Sequence, residues 1–175
     1  PESLGYSVNI HGRHATLGLN ITRNMKTAAI KLASKSELLR SPLKFTKRLT
    51  SLQRKLFLNI SMKEMMNFVF FKSGINQYSG IQKFLQFRHE LIHLVAKIVC
   101  TEFTVESQAN ILATFINVAF MLWQIKNFQS QNSILTGLQL REVFRLKKAW
   151  KIIEQTYPNH IEIYRFLLKQ QQQNS

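Results

Sequence analysis

Two long stretches of this chain leave little choice of fold. Between residues 81 and 100, Ile81, Phe84, Leu85, Leu91, Ile92, Val95, Ala96 and Val99 recur three or four positions apart, the spacing that lines side chains along one face of an α-helix. Arg88 lies on that same face. The spacing returns in Ile111, Leu112, Phe115, Ala119 and Leu122, widened by Trp123 and Ile125, behind a Thr104 suited to cap the helix. Neither stretch contains Gly or Pro. Apolar stripes this long are buried only against other helices, so the two are expected side by side at the centre of an all-α protein.

Composition agrees. Phe supplies 13 of the 19 aromatic residues, and only 6 Gly and 3 Pro interrupt 175 residues, a balance that favours packed helices over turn-rich sheets. Around the two central helices the pattern predicts others. Phe45, Leu49, Leu52, Leu56 and Phe57 alternate with Lys47, Arg48, Arg54 and Lys55 as an amphipathic helix. Ser61 stands three before Glu64, the capping-box spacing, and opens a short helix in which Met62, Met65, Met66, Phe68, Phe70 and Phe71 are expected to fill the core. Ser73-Gly74 and Ser79-Gly80 bracket a loop. Further helices are expected from Asn127-Phe128 to near Gly137, from Val143 to Ile153, and after Pro158. Residues 1–42 read as a linker or loosely ordered basic arm, 43–170 as one helical domain, and 171–175 as a polar tail.

The formal net charge of +15 is weighted to the front, where residues 1–60 hold 11 Lys and Arg against 2 Glu. Such a surface attracts acidic protein, anionic lipid or nucleic acid, and the sign of the charge does not choose among them. The cluster Arg141, Arg145, Lys147, Lys148 and Lys151 reads as a solvated helix face, and no nucleic-acid motif accompanies it, so nucleic acid is not expected as a partner. Cys100, the single cysteine, sits among Ile98, Val99 and Phe103 and is expected to be a buried thiol in a reducing compartment. No uninterrupted apolar run of membrane-spanning length is visible. The expected location is cytoplasmic, with an anionic membrane surface as a further contact for the basic segments.

His89-Glu90-Leu91-Ile92-His93 matches H-E-x-x-H, which on a helix brings two imidazoles to one face where both reach a zinc ion and leaves Glu90 as general base. Glu102 or Glu106 would then be the third ligand. Three fixed positions in five also arise by chance on a helix, so a zinc hydrolase is the minor reading. All nine acidic residues are Glu, which removes the Asp needed for an EF-hand loop or a Ser-His-Asp triad. The glycines never cluster into a phosphate loop, and no cofactor is expected.

The most informative motifs follow one another along the chain. Lys126-Asn127-Phe128-Gln129-Ser130, Ile134-Leu135-Thr136-Gly137-Leu138 and Val143-Phe144-Arg145-Leu146-Lys147-Lys148-Ala149-Trp150 resemble the N-N-F-N-S, G-L and V-[YF]-R-L-K-K-T-W blocks of Ras-type guanine-nucleotide exchange domains, the Son-of-Sevenless class. Arg88-His89 with Leu91, Phe115-Ile116 with Ala119, and Arg48-Leu49-Thr50-Ser51-Leu52 followed by Leu56-Phe57, Ile60 and Glu64 are similar to that family's earlier segments. The resemblance covers about residues 43–170. It implies an orthogonal multi-helix bundle, the N-terminal half of an exchange-factor domain, without the family's later helical hairpin.

The resemblance also implies a function. Family members bind a Ras-family small GTPase of Ras, Rap or Ral type and promote GDP release, with no covalent chemistry. Matching positions make Phe87, Arg88, Ala119, Lys126, Asn127 and Phe128 the expected GTPase-binding residues, while Arg145, Leu146 and Trp150 hold the scaffold. Lys126 departs from the family's first Asn, exchanging an amide that donates and accepts for a cation that only donates. A GTPase-binding or scaffolding module without exchange activity is the alternative.

Overall fold

The computed structural model describes residues 35–71 and 79–173. The greater part of the expected basic arm, residues 72–78 where a loop is expected, and the last two residues lie outside the described residues, as do the side chains of Phe70 and Phe71. Among the described residues every regular element is an α-helix. Lys35–Arg40 (α1) buries Leu38 completely, so the end of the expected arm joins the core.

Pro42–Leu58 (α2) starts where Ser41 accepts a hydrogen bond from the Lys44 N–H at 3.4 Å, with Pro42 supplying a preset helical φ at the first position. It buries Phe45, Thr46 and Leu49 and leaves its cations in water. Met62–Phe71 (α3) opens with the capping box as expected: the Glu64 N–H donates to Ser61 Oγ, and Glu64 Oε2 accepts from the Ser61 N–H, both at 3.1 Å. The other oxygen of Glu64 accepts from the Gly80 N–H at 3.1 Å, which ties α3 to the start of Ser79–Cys100 (α4). Ser79-Gly80 therefore begins a helix. Gly80 is needed there because a Cβ would stand 2.6 Å from Glu64 Oε2 and 2.9 Å from the Asn59 carbonyl oxygen.

Thr104 caps Val105–Gln124 (α5) by accepting from the Ser107 N–H at 3.1 Å. This helix is the axis of the bundle, burying Ala109, Ile111, Leu112, Ala113, Phe115, Ile116, Val118, Ala119 and Leu122 against α1, α2 and the helices that follow. By length and composition it could cross a membrane, although polar residues such as Gln108, Asn110 and Asn117 interrupt its apolar run. Its apolar side chains are instead spent on neighbouring helices.

α4 packs most extensively against Phe128–Gln139 (α6) rather than against α5. Gly137 permits this, since a Cβ there would lie 2.7 Å from the Ile92 carbonyl oxygen and 2.8 Å from Val95 Cβ.

The helix expected from Val143 to Ile153 is two: Arg141–Phe144 (α7) and Lys147–Thr156 (α8). The Trp150 indole N–H donates to the Val143 carbonyl at 3.1 Å, taking the acceptor that the Lys147 N–H would use in a continuous helix. The Lys147 N–H turns to Arg145 O instead, at 2.8 Å. Trp150 is half-buried rather than enclosed and stacks on Tyr164, with ring centroids 5.2 Å apart and planes 27° from parallel. Burial pushes the Tyr164 phenol up to about 12, so it stays neutral. Trp150→Ala is expected to cost about 2–4 kcal/mol, and Trp150→Phe, losing mainly the hydrogen bond, about 1 kcal/mol. Urea unfolding checks both.

Pro158–Gln173 (α9) continues through the whole glutamine run instead of stopping before a tail. Gln171 explains the extension: its side-chain oxygen accepts from Gln139 Nε2 at 3.1 Å and its Nε2 donates to Thr136 Oγ1 at 3.5 Å, so polar side chains dock the helix end on α6.

Two burial expectations fail. Met62, Met65, Met66 and Phe68 are exposed rather than core, with Met62 at 74%. Cys100 is also exposed. Its thiol is nevertheless pushed up, first by partial desolvation and then by the Glu142 carboxylate, which disfavours the reactive thiolate.

Candidate functional site

The expected binding residues fall in two places that α2 joins. The first is the turn between α5 and α6. The Asn127 N–H reaches back to Leu122 O at 2.8 Å and the Lys126 N–H to Trp123 O at 3.0 Å, the paired bonds of a Schellman ending. That motif demands a left-handed residue, and Lys126 occupies it at φ 62°. Left-handed backbone suits Gly or Asn and strains other side chains, so the Asn that the related blocks carry here has a backbone reason beyond its hydrogen-bonding capacity. The Lys126 ammonium lies 5.2 Å from the centre of the Trp123 ring, a contact that offsets part of the strain. Lys126→Asn is expected to be nearly neutral, whereas Lys126→Val, β-branched at positive φ, should destabilise by about 1–2 kcal/mol. Thermal melts of both variants check this.

Asn127 then caps α6. Its Oδ1 accepts from the Ser130 N–H at 3.2 Å and its Nδ2 donates to Thr50 Oγ1 on α2 at 3.1 Å. One turn along each helix, the Ser130 hydroxyl donates to the Gln53 side-chain oxygen. Thr50 and Gln53 thus brace the turn and the start of α6. Thr50 lies within the Arg48–Leu52 block, which matched without showing what it holds. Beside the turn Phe128 is 45% exposed, and a concavity of about 270 Å³ opens between it, Trp123, Gln131, Asn132, Gln170 and Gln171.

The second place is the N-terminal half of α4. Phe84 packs edge-on to Phe57 of α2 at 6.0 Å, so α2 supports this helix as well as the turn. Arg88 is exposed, and the neighbouring Leu85 is 37% exposed. Phe87, only 5% exposed, points into the core, about 100° around the helix from Arg88.

The six expected residues thus divide by burial. Arg88, Lys126 and Phe128 present surface, and Asn127 is half-buried and serves chiefly as a cap. Phe87 and Ala119 are buried in the core and present no surface. Lys126, Asn127 and Phe128 form one turn, with Arg88 on a separate helix.

His89 and His93 are both exposed, with ring centroids 4.4 Å apart. Among the described residues no third His, Cys, Asp or Glu joins them in a group able to hold a metal. Glu90, which the hydrolase reading would use as a base, accepts a hydrogen bond from Gln86 Nε2 at 3.1 Å.

Set beside known families, residues 44–175 match the model of the RasGEF domain. The chain belongs to the RasGEF domain family. Ras guanine nucleotide exchange factor M of Dictyostelium discoideum is 29% identical over 131 residues, 74% of this chain and 14% of that protein. Ras-GEF domain-containing family member 1B-A of Danio rerio is 33% identical over 72 residues, 41% of this chain and 14% of the relative. The human member 1C is 32% identical over the same length, 16% of its own chain. This RasGEF chain therefore spans a small part of each relative, and the all-helical fold agrees with the family.

Proposed function

We propose that this RasGEF chain binds a Ras-family small GTPase and promotes GDP release. The observation that carries the reading is the family match over residues 44–175 together with the way α2 braces both the Lys126-Asn127-Phe128 turn and the helix bearing Arg88. In this account Arg88, Lys126 and Phe128 touch the GTPase, while Asn127, Phe87 and Ala119 fix the surface they stand on. Prebuilt geometry matters because a rigid surface loses little entropy on binding and can hold its partner in an altered conformation.

The mechanism is linkage. A surface that binds the nucleotide-free GTPase more tightly than the GDP-bound form lowers GDP affinity by the same factor, with no bond made or broken in either protein. The strongly basic chain supports a partner with acidic groups facing it. The same charge supports an anionic membrane surface as an additional contact, through the exposed Arg141, Arg145, Lys147, Lys148 and Lys151, and a cytoplasmic, peripheral location.

The test is release of a fluorescent GDP analogue from a panel of Ras-family GTPases with and without the chain. Faster release from at least one member supports the proposal. Unchanged release from every member, at chain concentrations that saturate binding, contradicts it.

A further inference from the structure

The exchange-factor reading does not use His89 and His93, yet their geometry is specific. They stand four residues apart on α4, both imidazoles reach water, and their ring centroids are 4.4 Å apart. That spacing lets two ring nitrogens turn toward one ion at the roughly 2.0–2.1 Å of a zinc–imidazole bond. A helix already formed fixes both ligands before the ion arrives, which removes most of the ordering cost of chelation. Imidazole donors select zinc-class cations over magnesium or calcium, which prefer oxygen.

We propose that His89 and His93 form a two-imidazole site for a zinc-class divalent cation, and that loading it closes the Arg88 face to a GTPase. The second half rests on the exchange-factor reading; the first does not. Water completes the coordination, since two protein ligands leave the remaining positions open. Arg88 adjoins His89 in sequence and its charge opposes the ion, a repulsion that the high dielectric of water weakens at an exposed site and that two direct metal–nitrogen bonds outweigh. A bound, hydrated dication would place bulk and positive charge beside the guanidinium, against any partner that Arg88 attracts.

The experiment is calorimetric titration of zinc chloride, with magnesium chloride as control, into the whole chain in chelator-free buffer. Wild type, His89→Ala, His93→Ala and the double variant are compared, each checked for unchanged helicity by circular dichroism. One zinc per chain is expected, with no magnesium signal. Each single variant should weaken binding at least as much as the roughly tenfold that losing an outer-shell partner costs. The double variant should lose the site. Absence of zinc binding, or binding undiminished in the double variant, where His11, His14 or His160 would hold the ion, overturns the site. In a second arm, nucleotide-free GTPase is prepared by enzymatic hydrolysis of its nucleotide, not by chelation. Zinc should lower its capture by wild type and leave capture by the double variant unchanged. Capture by wild type that ignores bound zinc overturns the regulatory half. A panel with no capture in any condition contradicts the exchange-factor reading, and the titration still decides the site.

Discussion

Phe115→Ala is expected to destabilise the protein by about 3–5 kcal/mol, the range for deleting a fully enclosed aromatic ring. Phe115 is 1% exposed at the middle of α5 and meets Phe45 of α2 edge to face, with centroids 6.4 Å apart and planes at 77°. That geometry adds a specific aromatic attraction to the buried area. The ring also joins the central helix to the one that braces the candidate site. A domain of this size has on the order of 5–15 kcal/mol of stability to lose, so the substitution should consume a large share of it. Urea denaturation followed by circular dichroism gives the value directly. A change under about 1 kcal/mol would mean that α2 and α5 are not packed as described.

Arg88→Glu should have the largest effect on binding. Arg88 is exposed, so reversing its charge should alter folding stability by no more than about 0.5 kcal/mol, as for other surface substitutions. If its guanidinium meets the GTPase, the new carboxylate repels whatever acidic group it faced, and capture should weaken by roughly 2–4 kcal/mol, or about thirtyfold to several hundredfold. Phe87→Ala makes the contrasting case. Phe87 is buried, so that change should lower stability and affect binding only through the helix it supports. A folded Arg88→Glu variant that still binds at wild-type strength removes Arg88 from the interface.

The central helices were legible because their apolar residues recur at helical spacing, although Leu85 and Ile125 of the expected stripes are exposed and Phe87 and Ile98 beside them are buried. Thr104 and Ser61 were legible because capping depends on residues only three apart. The break before α8 was not, since it is accompanied by an indole N–H reaching a carbonyl seven residues earlier, which no local periodicity encodes. The methionines of α3 read as core because apolar character does not say whether a neighbour arrives to cover it. Cys100 misled for another reason: Ile98 and Val99 do face the core, but a residue one step further turns out of it. The same rotation separates Phe87 from Arg88, and the sequence held that signal in the spacing Phe87, Leu91, Val95. The positive φ of Lys126 had no signal in the residue itself, and only the Asn of related blocks pointed to it.

The central claim is preferential binding to a GTPase without nucleotide, and affinity for the two states measures it most directly. Residues 1–175 immobilised on a sensor surface would be exposed to each Ras-family GTPase, first nucleotide-free and then loaded with GDP and magnesium. For the cognate member the account predicts tight capture of the nucleotide-free form, at least about tenfold weaker binding of the loaded form, and release of captured GTPase when GDP is added. Equal affinity for the two states, or no binding to any member by a chain that is folded, would contradict it.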